Sequence, residues 1–327
     1  MQGRIILYFK KNALTDRWIF GDRFVRLFYR FIFRKNKIGS LEKVFNNLCK
    51  GFDQLGIKYY KNISFKAIKQ TDQIIVLGIG AQVLKKYQIS NKIIAGIGLM
   101  THPSQWPSLF EDYPIATYLQ HSHWTAEIYN RWYGKKTCKI WQAGIDTHYW
   151  KTTKTVIKKD ILIYVKFLWD KEKNTIQILN PILDFLNSCN IEYKIIEYGF
   201  YTVEKYKKML ETSNAMIFLC EHESQGLAYQ EAMAMNVPIF AWDQGFWLDK
   251  NRFSWGENQD VEASSVPYFD SQCGEKFKNI IEFKLGFSNF YEKAKANFYQ
   301  PRSYVLQYLT LEKSAERMLE IINEVYS

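Results

Sequence analysis

Between residues 161 and 242 the chain alternates short, uninterrupted apolar runs with segments of helical spacing, at the close intervals that βαβ units require. Ile161 to Val165 is a continuous apolar run, Thr175 to Leu186 has helical spacing, and Tyr193 to Glu197 is rich in strand formers. Val203 to Leu210 is again helical in spacing, and Ala215 to Cys220 is again apolar and short. Parallel strands buried on both faces produce such runs, because neither face of the strand meets water. Gly226 to Met235 then reads as a helix, Asn236 as its left-handed cap, Pro238 as a stop, and Ile239 to Trp242 as the next strand. This pattern is half of a doubly wound α/β sheet.

The first half is less regular, yet it offers strands at Ile5–Phe9, Ile74–Leu77, Ile93–Ala95 and Ile115–Tyr118, separated by segments that can be helical. A second open α/β sheet is the expectation. Between the halves, Trp141-Gln142-Ala143-Gly144-Ile145-Asp146 leads into polar, lysine-rich sequence to Lys159, which has the composition of a linker. The 327 residues therefore divide into domains 1–150 and 151–327, each long enough for its own core. Ser303 to Tyr326 has the spacing of a terminal amphipathic helix.

Composition excludes several classes. With 47% hydrophobic and 24% charged residues the chain can bury enough surface to fold, so disorder over most of its length is excluded. The five cysteines are odd in number and widely spaced, which fits neither a zinc site nor a disulfide framework and points to a reducing, cytoplasmic compartment. The uncharged, mostly apolar stretch Gln73 to Leu84 falls far short of the roughly 20 apolar residues of a membrane span. Ile5 to Phe9 is shorter than a signal-peptide core and is expected to be a first buried strand. Charge is unevenly placed. Residues 1–150 hold 23 Lys and Arg against 9 Asp and Glu, a net +14, and residues 151–327 hold 21 against 24, a net −3. So lopsided a field draws an anionic partner to the first half, unless it is only a solubility bias.

The chemistry concentrates in Glu221-His222-Glu223-Ser224-Gln225-Gly226-Leu227-Ala228-Tyr229-Gln230-Glu231. This segment leaves the carboxyl end of a buried strand and enters a helix, the place where open α/β sheets bind ligands. A glycine at a helix start lets backbone N–H groups approach a phosphate, and the helix dipole favours its charge. Glu223 in the loop and Glu231 in the helix can border one crevice, one touching a sugar and the other a ribose.

In this context the sequence resembles the retaining GT-B glycosyltransferases of glycosyltransferase family 4 (glycosyl transferases group 1), marked by two glutamates with seven residues between them. Gly144-Ile145-Asp146, the strand Ile161–Val165 and Ser265-Val266-Pro267-Tyr268-Phe269-Asp270 extend the likeness over roughly residues 140–327. The resemblance implies two Rossmann-like domains facing a cleft (GT-B architecture), with the C-terminal helix crossing back to the first. It implies transfer of a hexose or pentose from a nucleotide-sugar to an acceptor hydroxyl, with retention and with neither metal nor other cofactor. Glu231 would hold the ribose, Glu223 the sugar, and Ser224, Gln225, Gly226 and Leu227 would offer backbone N–H groups to the diphosphate. The family places an arginine and a lysine after the first strand of the second domain to neutralise that diphosphate. Here Lys166-Phe167 stands where Gly-Arg is usual, so either Lys166 stands in for the arginine or that role is lost, with Lys171 or Lys173 as the candidate for the second cation. His102 is expected near the reacting sugar, as in many family members.

Other features leave alternatives open. His121 and His123 would share a face of an extended segment, but no third ligand is evident and the edge of a core is the preferred reading. Arg23, Arg26, Arg30, Arg34 and Lys37 form one stripe on a helix, with Phe24, Leu27, Phe28, Phe31 and Ile32 around much of the rest. That stripe either meets an anionic membrane surface peripherally, lines the site of a glycan or lipid-linked acceptor, or is simply solvated. Nucleic acid is disfavoured, since the basic residues are spread and no binding module is present. The rival readings are a nucleic-acid-binding protein and a catalytically inactive sugar-binding relative.

Overall fold

The computed structural model describes residues 3–10, 39–78, 80–134, 138–152 and 160–327. The basic stripe Arg23, Arg26, Arg30, Arg34 and Lys37 lies outside the described residues, as does most of the lysine-rich linker. The chain forms two compact units. The first comprises Met1–Gln120, Ala126–Trp141 and Ala315–Ser327, and the second comprises His121–Thr125 and Gln142–Ser314.

The first unit holds a six-stranded sheet of β1 (Ile5–Lys10), β2 (Tyr59–Lys61), β3 (Gln73–Gly78), β4 (Ile93–Gly96), β5 (Ile115–Gln120) and β6 (Cys138–Ile140) in the order β2-β1-β3-β4-β5-β6. All its pairings are parallel. β3 and β4 are buried along their whole length, as their unbroken apolar sequence requires. The three-residue edge strands β2 and β6 carry no periodicity that sequence could register.

The second unit holds β7 (Asp160–Lys166), β8 (Tyr193–Glu197), β9 (Ser213–Cys220), β10 (Ile239–Trp242) and β11 (Gly274–Phe277) in the parallel order β11-β10-β9-β7-β8. Side chains alternate across it. Ile161, Ile163, Val165, Ile217 and Leu219 join a core with Phe283, Phe287 and Phe290 of the helix Ile280–Lys295. Leu162, Tyr164, Met216 and Phe218 join the opposite core with Tyr229 and Met233 of the helix Leu227–Ala234. Burying a large side chain of this kind contributes about 2 kcal/mol.

Two local features differ from the expected elements. The segment beginning at Lys171 runs to Ser188 through a π-helical stretch, Thr175–Leu179, directly ahead of Pro181, whose missing N–H a regular helix would need. The single terminal helix is two, Pro301–Tyr308 and Leu311–Tyr326. The chain breaks between them because Leu309 O accepts a hydrogen bond from Ile145 N and Thr310 forms a parallel bridge with Ile145. The final helix then returns to the first unit, as expected, where the Tyr326 hydroxyl accepts from Ile74 N at 2.7 Å and donates to Lys92 O at 2.6 Å. No helix among the described residues is long and apolar enough to cross a membrane.

Candidate active site

In the second sheet the chain goes outward from β7 to β8 and then returns to β9 on the other side of β7. Ligands of open α/β sheets bind beyond the carboxyl ends of the strands at such a reversal. Lys166 ends β7 and Cys220 ends β9, with Glu221, His222 and Glu223 following directly.

Lys166 Nζ donates to Glu223 Oε1 at 2.6 Å, with the two side chains only 14% and 12% exposed. The ammonium also lies 4.9 Å from the ring centre of Tyr198, an arrangement that favours a cation. Burial works against the lysine's charge, but the Glu223 carboxylate outweighs it and its affinity for a proton is raised. Burial pushes the neighbouring Cys220 thiol well above its usual range, so it stays protonated. Glu223 N–H donates to Ser264 O at 2.9 Å, which fixes the loop that carries the carboxylate.

Glu221 is turned inward. Its carboxylate accepts from the Leu168 and Trp169 amides and from Asn174 Nδ2, each at 3.2 Å, and burial raises its pKa. It ties the loop after β7 to the end of β9. His222 stacks on Trp169 with ring centres 4.6 Å apart and 16° between planes, and its Nδ1 accepts from Leu248 N at 3.4 Å. Burial, reinforced by the charge of Lys166, lowers its pKa to about 3, so the ring is neutral and carries its proton on Nε2.

Gly226 precedes the helix Leu227–Ala234 at φ 79°, and a Cβ there would lie 2.0 Å from Cε1 of Tyr229, so the position requires glycine. No side chain caps this helix start, and first-turn amides have no intrahelical acceptor. Gln225 is a strut. Its Oε1 accepts from Ala143 N at 2.9 Å and its Nε2 donates to Gln230 Oε1 at 2.8 Å, while Gln230 Nε2 donates back to Gln225 O at 2.7 Å. Glu231 is buried in the helix, 5% exposed.

The structure thus brings Lys166, Glu223 and the Ser224–Leu227 turn together at one strand end. It does not bring the other two lysines to that point. Lys171 pairs with Glu197 at the surface, and Lys173 is exposed in the first turn after Asp170. His102 lies in the first unit, where its Nδ1 is 2.8 Å from Ser104 Oγ and caps the short helix Pro103–Gln105. Glu221, His222 and Tyr198 carry parts of the site that the sequence reading assigned to no role. For Glu221 and His222 the signal was a run of polar residues directly after a buried strand, whereas Tyr198 follows the half-exposed β8 and carried none. Among the described residues no three His, Cys, Asp or Glu side chains gather as a ligand set for a metal.

No protein-family model and no curated protein sequence matches the chain. Solved structures do. The lipopolysaccharide outer core galactosyltransferase WaaB in its apo form superposes with a TM-score of 0.55 at 11% identity, covering 98% of this chain and 99% of WaaB. The sucrose-phosphate synthase of Thermosynechococcus elongatus gives a TM-score of 0.52 at 12% identity over 99% of both chains. A mutant of TarM from S. aureus, in complex with Fondaparinux, alpha-GlcNAc-glycerol and UDP, gives 0.56 at 12% identity over 84% of this chain. The chain spans 58% of the length of that TarM. Such identities establish fold alone, and the fold, two Rossmann-like parallel sheets each with its own helices, is the one shared by GT-B glycosyltransferases.

Proposed function

We propose that this chain is a retaining glycosyltransferase that moves a sugar from a nucleotide-sugar, a UDP-sugar, to an acceptor hydroxyl. The observation that carries this reading is the Lys166–Glu223 pair at the β7/β9 reversal, followed within three residues by the uncapped helix start at Gly226. A cation, a pair of carboxylates and unsatisfied amides are the groups a nucleoside diphosphate sugar needs. The Ser224–Leu227 amides and Lys166 would take the diphosphate, whose negative charge grows as the glycosidic bond to it breaks. Lys166 would exchange Glu223 for phosphate, and the released carboxylate would accept from a hydroxyl of the transferred sugar. Glu231 would bind the ribose. Lys171 and Lys173 would reach the diphosphate only by leaving their present surface positions.

The acceptor would be a glycan or lipid-linked molecule carrying negative charge, drawn by the net +14 of residues 1–150, with His102 on the acceptor side and the Arg23–Lys37 stripe at an anionic membrane surface. Domains 1–150 and 151–327 would serve acceptor and donor respectively, and no protein-bound metal is assigned a step. Titration of the purified chain with UDP, GDP, ADP and their sugar conjugates, read by thermal shift, tests the reading. A base-selective shift, followed by donor hydrolysis or transfer, supports it. No shift with any nucleotide rejects it. Binding with neither hydrolysis nor transfer selects the inactive relative, a reading that Phe167 at the expected arginine position favours.

A further inference from the structure

A cavity of about 500 Å³ lies at the carboxyl ends of β10 and β11, within the second unit. Asp243, Gln244, Phe246, Glu262, Lys276 and Lys278 are among its lining residues, and none of Lys166, Glu223, Gly226 or Glu231 is. Asp243 forms its fixed floor. The carboxylate is 7% exposed and accepts from Ser265 N at 3.0 Å, Ser264 Oγ at 2.7 Å and Lys276 Nζ at 2.8 Å. Lys278 directly follows the end of β11 and lines the cavity together with Lys276. Its backbone is pinned, N–H donating to Glu282 Oε2 at 2.8 Å and carbonyl accepting from Trp242 Nε1 at 3.0 Å, while its ammonium pairs with no carboxylate among the described residues. Phe246 leaves 45% of its surface exposed, its backbone held by an isolated antiparallel bridge to Glu262.

The charges balance: two carboxylates and two ammonium groups line one cavity. An anion would meet Asp243 and Glu262, and a cation would meet Lys276 and Lys278. A polyhydroxylated ring suits both sets, because each hydroxyl donates to a carboxylate or amide oxygen and accepts from an ammonium or amide N–H. The exposed face of Phe246 offers the flat apolar surface that the C–H face of such a ring can cover. The volume is in the range of small-molecule sites, about 300–1,000 Å³. The cavity is also joined to the candidate active site through one residue: Ser264 O accepts from Glu223 N, and Ser264 Oγ donates to Asp243.

We infer that this cavity binds an uncharged sugar ring. The inference deepens the glycosyltransferase reading, on which it rests for the source of the sugar, either the acceptor or the transferred unit.

The test uses the full chain, titrated with glucose, galactose and N-acetylglucosamine, and with glucuronate and glucosamine as charged counterparts, read by saturation-transfer NMR. At least one uncharged sugar should bind, with its charged counterpart weaker. Lys278→Met and Phe246→Ala should each weaken it about tenfold and leave UDP affinity within about twofold. Both positions are at the surface of the cavity, and a thermal melt confirms that each variant is folded. If none of the three sugars binds at about 50 mM, or if both folded variants bind as the parent does, the inference is overturned. The same samples are titrated with UDP. UDP binding without sugar binding rejects the cavity's role and leaves the donor reading, while sugar binding without any nucleotide binding does the reverse. Saturating UDP-glucose or UDP-galactose then separates the sources: displacement of the free sugar assigns the cavity to the transferred unit, and undiminished binding assigns it to the acceptor.

Discussion

Lys166 and Glu223, 57 residues apart in sequence, meet at 2.6 Å across the ends of two adjacent parallel strands, and water reaches little of either side chain. Two charges so placed depend on each other. Each would lose its compensation if the other were removed, and a diphosphate arriving at Lys166 would compete directly with Glu223.

The two single variants Lys166→Met and Glu223→Gln should each destabilise the chain by about 2–4 kcal/mol, because each strands a mostly buried partner charge. The double variant should lose less than the sum of the two, with a coupling of about 1–3 kcal/mol. Urea unfolding of the four proteins checks this. Additive losses would mean that the pair contributes nothing as a pair.

Glu231→Gln keeps the shape of a side chain already 5% exposed, so the melting temperature of the ligand-free protein should move little. If this carboxylate holds ribose hydroxyls, UDP affinity should fall about tenfold or more, since hydrogen bonds to a charged acceptor contribute about 1.5–3 kcal/mol. Isothermal titration with UDP and with the phosphate group alone discriminates the two ends of the ligand. An equal loss for both would place Glu231 away from the ribose.

Much of the site was legible because its carriers are local. The run Ala215–Cys220, the glycine at 226 and the seven residues between Glu223 and Glu231 all follow from one strand–turn–helix segment. Asn236 likewise takes φ 56° where a left-handed cap was expected. What escaped depends on distant chain. Glu221 has no role in the sequence pattern because the Leu168 and Trp169 amides that bind its carboxylate are 53 and 52 residues away. The break in the terminal helix is written in Ile145, more than 160 residues earlier, and not in the helical spacing of Ser303–Tyr326. Lys171 and Lys173 fail to join Lys166 for a similar reason, since the loop between them is set by Glu221 and Asn174.

His222 gives the chain a defined acid sensitivity. Its pKa is about 3 in the folded protein against an ordinary 6.5, so the unfolded chain binds one more proton between those values. The stability it contributes is therefore fully present above pH 6.5 and is lost as the pH falls from there toward 3. Compared with His222→Phe, which keeps a ring against Trp169 but cannot titrate, the parent should lose on the order of 1 kcal/mol per pH unit over that window. Urea midpoints at pH 7.5, 6 and 5 measure the difference. A gap that does not narrow on acidification would show that the imidazole is protonated or exposed in the native state.

Gly226→Ala tests the helix start itself. The residue is at φ 79°, where a side chain is strained, and the added methyl would meet the ring of Tyr229, which cannot retreat easily because its hydroxyl accepts from Tyr268 N at 3.0 Å and its ring is fully buried. A loss of about 2–4 kcal/mol is expected from strain and overpacking together. Tyr229→Leu removes the ring and should recover part of that loss when combined with Gly226→Ala, by relieving the clash while leaving the backbone strain. The turn geometry also sets where the Ser224–Leu227 amides point, so UDP affinity should fall in Gly226→Ala even at temperatures where the variant is folded. Restored stability without restored affinity in the double variant would separate the two roles of this glycine, packing against Tyr229 and presentation of amides to a phosphate.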